Sequence, residues 1–176
     1  MYALRIDPDA TVTDLALPAT DAHIAIQEHV GSDAVDQGVY HRRAALHIHG
    51  KGLKLGLPQN LAAWALSSAW RGMPLYPLAG PIVITGRTPS GDMAALDNDL
   101  AQHAKAVAQT VRDTLSEWRE RPPASDEAAI KELLAYAAHD VTSSSLVACR
   151  CLTVGCLVGM LVCGRFPFRS AGQGWC

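Results

Sequence analysis

The apolar periodicity of the chain changes at Lys51-Gly-Leu-Lys-Leu-Gly-Leu-Pro-Gln-Asn60. Before this stretch, apolar residues alternate with polar ones in short runs, the period of a strand. After it, one more strand is followed by long segments with the 3.6-residue period of a helix. Pro58 suits the first turn of a helix and Asn60 suits a cap, so Leu61 to Trp70 is expected to be helical. Leu55 and Leu57 alternate about Gly56. Leu55, Leu57 and Leu61 are therefore expected to be buried at the hand-over, with Gly56 in a conformation that a side chain would resist. On this view Gly56, Pro58 and Asn60 form a structural turn.

Taken in order, Tyr2, Leu4 and Ile6 alternate, Asp7-Pro8-Asp9 has turn chemistry, and Thr11 to Leu17 resumes the alternation, which predicts a hairpin. Thr20 or Asp21 is expected to cap a short helix that carries Ile24, Ile26 and Val30 and stops at Gly31. Val35 to His41 and Ala44 to His49 are two further candidate strands. Pro81-Ile-Val-Ile-Thr-Gly86 is the clearest strand, β-branched and bounded by glycines. Thr88 to Asp92 is a loop. From Ala94 to Arg121 one stripe (Leu100, Ala104, Val107, Ala108, Val111, Leu115, Trp118) faces away from Lys105, Arg112, Glu117 and Arg119, as in an amphipathic helix. Pro122-Pro123 ends it. Ser125 opens another helix to about Asp140, and Thr142 to Ser145 is expected to be a break.

At 176 residues the chain fits one compact domain with an extension, and a formal charge of −2 provides no global field toward nucleic acid. Met1 to Pro8 lacks the basic and apolar regions of a secretory signal, so a cytoplasmic location is expected. All five cysteines (Cys149, Cys151, Cys156, Cys163, Cys176) fall near the C-terminus, leaving the domain to hold itself together by packing.

Three stretches occur in the order of a known domain: Met1-Tyr-Ala-Leu-Arg-Ile-Asp-Pro-Asp9, Lys54-Leu-Gly-Leu-Pro-Gln-Asn60 with its helix, and Gly80-Pro-Ile-Val-Ile-Thr-Gly86 with Gly91-Asp92. In them, residues 1–95 resemble a small domain family without an assigned function, found in phage, plasmid and actinobacterial proteins. The resemblance rests on glycines, turns and strands and implies a cytoplasmic α+β protein of mobile-element origin. It carries no chemistry.

Four constellations bear on chemistry. His47 and His49 stand two apart on a strand, with His41 nearby, so both imidazoles would reach one face as metal ligands do; no acid or cysteine stands beside them. The competing expectation is a pair of solvent-facing histidines with Leu46 and Ile48 inward. Arg42, Arg43, Lys51 and Lys54, followed by Trp64, Trp70 and Arg71, form a basic series with aromatics that would suit nucleic acid. Trp64 and Trp70 lie six apart on a helix and do not share a face, which makes at least one of them core. Gly50 to Lys54 and Gly80 to Gly91 lack P-loop spacing, no nucleophile or zinc-protease motif occurs, and no motif asks for a cofactor. Finally, Leu146 to Gly164 is apolar apart from Arg150 and contains Gly155-Cys-Leu-Val-Gly159. It could anchor the chain in a membrane, carry a cysteine cluster, or be a loosely packed extension.

The sequence thus predicts an α+β domain over residues 1–95, a small mostly antiparallel sheet against one or two helices. A helical extension (96–141) and a Cys-rich tail (142–176) follow. The function expected first is that of a non-enzymatic binding or accessory protein with an unidentified protein partner. Nucleic-acid binding through Arg42, Arg43, Lys51 and Lys54, or anchoring by residues 146–164, are the alternatives.

Overall fold

The computed structural model describes the backbone of residues 1–154 and the side chains of residues 1–143. The protein is an α+β fold built on one antiparallel sheet. In chain order its elements are β1 (Tyr2–Ile6), β2 (Val12–Ala16), α1 (Ala22–Val30), β3 (Val35–His41), β4 (Ala44–His49), α2 (Leu61–Arg71), β5 (Ile82–Arg87), β6 (Met93–Ala94), α3 (Asn98–Glu120) and α4 (Asp126–Val154). The sheet order is β2-β1-β5-β4-β3, with the two-residue β6 also on β5.

Register decides which residues form the core. Leu4 stands opposite Ile84 and Leu46 opposite the same Ile84, so one row of large side chains crosses three strands. With Ile6, Ala44 and Ile82 this face packs under α2 and α3, whose Ala63, Leu66, Leu100, Ala104, Val107 and Val111 are fully or almost fully buried. Leu133 and Ala137 of α4 complete the same cluster. The core therefore runs through residues 1–95 and 96–141 without a seam. The opposite face is covered more thinly by α1, where Ile26 and Val30 pack on Ala3, Leu17 and Val83.

The local causes match the chemistry of the residues. In the first turn the Asp9 carboxylate accepts from Thr11 N–H at 2.9 Å, and Ala10 takes φ 64°, a left-handed conformation unusual for alanine. The turn is held from a distance: Arg112 donates from Nη1 to the Ala10 carbonyl at 2.6 Å. Helix α1 differs from expectation at its start, where Asp21 sits at the N-cap position with φ 60° and makes no side-chain cap bond, while Gly31 ends it in the left-handed region as expected. Gly86 is needed where β6 crosses β5, because a Cβ there would stand 1.9 Å from the Ala95 carbonyl oxygen.

The expected break at Thr142–Ser145 does not exist. The Thr142 hydroxyl donates back to the carbonyls of Ala138 and His139, so its polarity is satisfied within the helix and α4 continues to Val154. The cysteine side chains, the Gly155–Gly159 spacing and most of the apolar segment 146–164 lie outside the described residues. Among those described, no helix is long and apolar enough to cross a membrane.

Candidate functional site

The hand-over at Asn60 organises an apolar cleft of the protein. Asn60 is fully buried; its Oδ1 accepts from Ala63 N–H at 3.0 Å and caps α2. Its amide donates to the carbonyls of Ile6 (2.9 Å) and Gly80 (3.0 Å), tying the end of β1 and the entrance to β5 to the helix start. Gly72 closes α2 in the left-handed region, and Met73 to Leu78 then runs back along the helix. That return segment is fixed by Asn60 N–H to Leu78 O at 2.8 Å, Trp64 Nε1 to Leu75 O at 2.8 Å and Leu75 N–H to the Ser68 hydroxyl at 3.2 Å. Pro74 and Pro77 stiffen it.

Between this segment, the end of α3 and the first two turns of α4 lies a cleft of about 500 Å³. Trp64, Leu61, Leu75, Trp118, Ile130 and Leu133 give it an apolar lining, with Gln59 and Asp126 as the polar groups at its edge. The volume falls in the range of small-ligand sites, roughly 300–1,000 Å³. Trp64 is the tryptophan that belongs to the core, as the six-residue spacing required of at least one of the pair. Trp118 keeps its indole N–H on Glu132 at 3.2 Å. In the turn before Asn60, Gly56 has φ 69° as expected. The leucines do not follow expectation: Leu55 is 63 % exposed and Leu57 and Leu61 are only half-buried. Residues 51–56 close on themselves, with Leu55 N–H on Lys51 O and Leu57 N–H on Gly52 O, so the strand ends at His49 and Leu55 points off a turn.

The basic series is divided. Arg42 and Arg43 form the β3–β4 turn, whereas Lys51 and Lys54 lie beyond the other end of β4, roughly 20 Å away at 3.3 Å per strand residue. Arg43 is committed to two carboxylates, Asp97 at 2.9 Å and Asp99. Burial raises the Asp99 carboxyl and Arg43 lowers it, with the net result below its ordinary value. Lys51 and Lys54 are exposed beside a cavity of about 230 Å³ that also touches Asp36, His49 and Tyr76. Trp70, the aromatic of the series nearest the arginines, packs on His41 with ring centroids 5.3 Å apart.

The two histidines also separate. His47 is not on a solvent face: it is buried, pairs across to Val83, and its Nε2 meets the Thr85 hydroxyl at 2.9 Å under the α1 side of the sheet. Burial pushes its pKa down to about 4. His49 is half-buried, and its Nδ1 accepts from Lys51 N–H at 3.1 Å. Among the described residues, no group of three His, Cys, Asp or Glu is arranged to hold a metal.

Sequence reasoning missed two participants. The Met73–Leu78 segment has no periodicity, and its prolines were its only signal. Arg87 was hidden by its position as the last residue of a strand, although the backbone pairs its N–H with Arg43 O at 2.9 Å and so places it beside the β3–β4 turn. No family model, curated protein or solved structure matches the chain.

Proposed function

We propose that the protein is a non-enzymatic binding or accessory protein whose working surface is the cleft between Trp64 and Trp118. The cleft itself carries this reading: about 500 Å³, apolar walls, and a rim with a few polar groups. Its ligand is an apolar small molecule or the hydrophobic side chains of a partner, oriented by Gln59 and Asp126. Two rigid indoles supply large contact area at little cost in side-chain entropy. The resemblance of residues 1–95 to a family of phage and plasmid proteins supports a role in a mobile element.

The test uses the indole N–H signals of the ¹⁵N-labelled full chain during titration with benzene. The signals of Trp64 and Trp118 should move and saturate, and Ala129→Trp, which fills the cleft, should abolish the movement while the chain stays folded. Unmoved signals, or equal movement in the filled variant, would overturn the proposal.

A further inference from the structure

We infer that Arg42 and Arg87 form a phosphate-binding site, distinct from the apolar cleft and built at the β3–β4 end of the sheet. A cavity of about 550 Å³ is lined there by Arg42, Arg43, Arg87, Pro89 and Asp97. Three arginines thus line one concavity with a single acidic residue. That carboxylate is already engaged, since Asp97 pairs with Arg43 at 2.9 Å, and Arg43 is held again by Asp99. Arg43 is therefore a fixed wall. Arg42 and Arg87 have no ion-pair partner among the described residues.

The backbone fixes the relative placement of the two turns that carry these residues. Arg87 N–H donates to Arg43 O at 2.9 Å, locking the end of β5 against the β3–β4 turn. The loop that follows is closed by Thr88 N–H on Asp92 O (2.9 Å) and by Gly91 N–H on Thr88 O (3.0 Å). Its own carboxylate, Asp92, accepts from the Ser90 hydroxyl at 2.6 Å and makes no ion pair with Arg42 or Arg87 among the described residues. Gly91 leaves the room that Arg87 uses: a Cβ there would stand 3.0 Å from Arg87 Nη2. Two arginines without an ion pair among the described residues, lining one cavity from adjacent turns, bring the forked, bidentate donors that phosphate oxygens accept best. The ligand class is a phosphate ester, borne either by a free nucleotide or by a nucleic-acid strand. At the other end of β4, Lys51 and Lys54 line a smaller cavity of about 230 Å³ together with Asp36, and an ammonium lacks the planar fork of a guanidinium.

The experiment follows the arginine Nε–H resonances and the calorimetric affinity of the full chain in two arms, one with inorganic pyrophosphate and one with an oligothymidylate. Binding in the first arm identifies a free phosphate ligand. Binding in the second alone, with a log–log salt slope that falls by about 1 for each arginine removed, identifies a strand. In whichever arm binds, Arg42→Ala and Arg87→Ala should each weaken binding at least tenfold, with unchanged thermal melts because neither residue holds an ion pair. The double variant Lys51→Ala/Lys54→Ala should bind as the parent does. No binding in either arm, or a loss in the lysine variant as large as in the arginine variants, overturns the site.

Discussion

The side-chain amide of Asn60 donates to the carbonyl of Ile6, 2.9 Å away and 54 residues earlier in the chain. The same side chain caps α2 and holds Gly80 O, so one buried residue joins a strand, a helix and the approach to a second strand. Asn60→Ala should cost more than an ordinary cap. To the roughly 1 kcal/mol for the cap are added two carbonyls left without donors, for about 3 kcal/mol or more in all. Asp normally caps as well as Asn. Here Asn60→Asp should be no better than alanine, because a carboxylate oxygen would face two carbonyl oxygens. Urea melts compare the three chains; an aspartate variant within about 0.5 kcal/mol of the parent would remove the clamp from the account.

The turn before Asn60 yields a graded series. Leu55→Ala should be silent within about 0.5 kcal/mol, since the side chain is 63 % exposed. Leu57 is half-buried against Gly80, so Leu57→Ala should cost about 1 kcal/mol, less than the 2–5 kcal/mol expected for the fully buried Leu66→Ala. Gly56→Ala should cost about 1–2 kcal/mol although nothing lies within 4 Å of its Cβ position, because the penalty is φ 69° and not space. A Leu55→Ala loss comparable to that of Leu66→Ala in thermal melts would contradict this ordering.

Burial of His47 predicts acid sensitivity well above the carboxylate range. Its pKa is about 4 in the folded chain and about 6.5 unfolded, so below pH 6.5 the unfolded chain takes up a proton that the folded chain refuses. Stability is full above about pH 6.5 and falls toward pH 4, by up to about 3 kcal/mol from this group. His41 and His103 act in the same sense, both lowered first by burial, with the Arg43 charge lowering each further and Asp99 partly opposing it. Denaturation at pH 7.5, 5.5 and 4.5 measures the slope. His47→Gln, which keeps a partner for Thr85, should flatten it; an unchanged slope would place the acid sensitivity elsewhere.

A chain ending at Glu120 loses Leu133 and Ala137 from the core and one wall of the cleft. It should be destabilised by roughly 3 kcal/mol or more, from one buried leucine and the helix faces laid bare. A chain ending at Ser143 keeps both residues and should melt cooperatively near the temperature of the full chain. Calorimetry on the two truncations decides; equal melting would mean that α4 is not part of the folding unit.

The strands were legible because their patterns are local: Pro81 to Gly86 is β-branched between glycines, and Leu4 and Ile6 alternate. The stripe from Leu100 to Val111 likewise points inward as its spacing requires. What failed was information held between distant segments. Leu46-His47-Ile48 alternates as a half-solvated strand would, and only α1 on the far face makes His47 a buried residue. The division of the basic series, by contrast, was legible, since the expected strand Ala44 to His49 already stands between Arg42 and Lys51. The two-residue β6 is defined by its contact with Gly86 and Arg87 and has no pattern of its own. Thr142 to Ser145 misled for the opposite reason, since hydroxyls that favour loops can also bond their own helix.

The sheet order carries a consequence for synthesis. β1 leaves the ribosome first, and β2 can cover one of its edges at once, but the other edge waits for β5. At about 5–20 residues per second that interval is roughly 4–16 s, and the guanidinium that steadies the hairpin turn, on Arg112, arrives later still. During that time Leu4 and Ile6 sit on a strand with unpaired N–H and C=O groups, a template for any neighbouring chain. Overexpression, which crowds nascent chains together, should therefore send this protein into inclusion bodies more readily than refolding the finished chain at high dilution does.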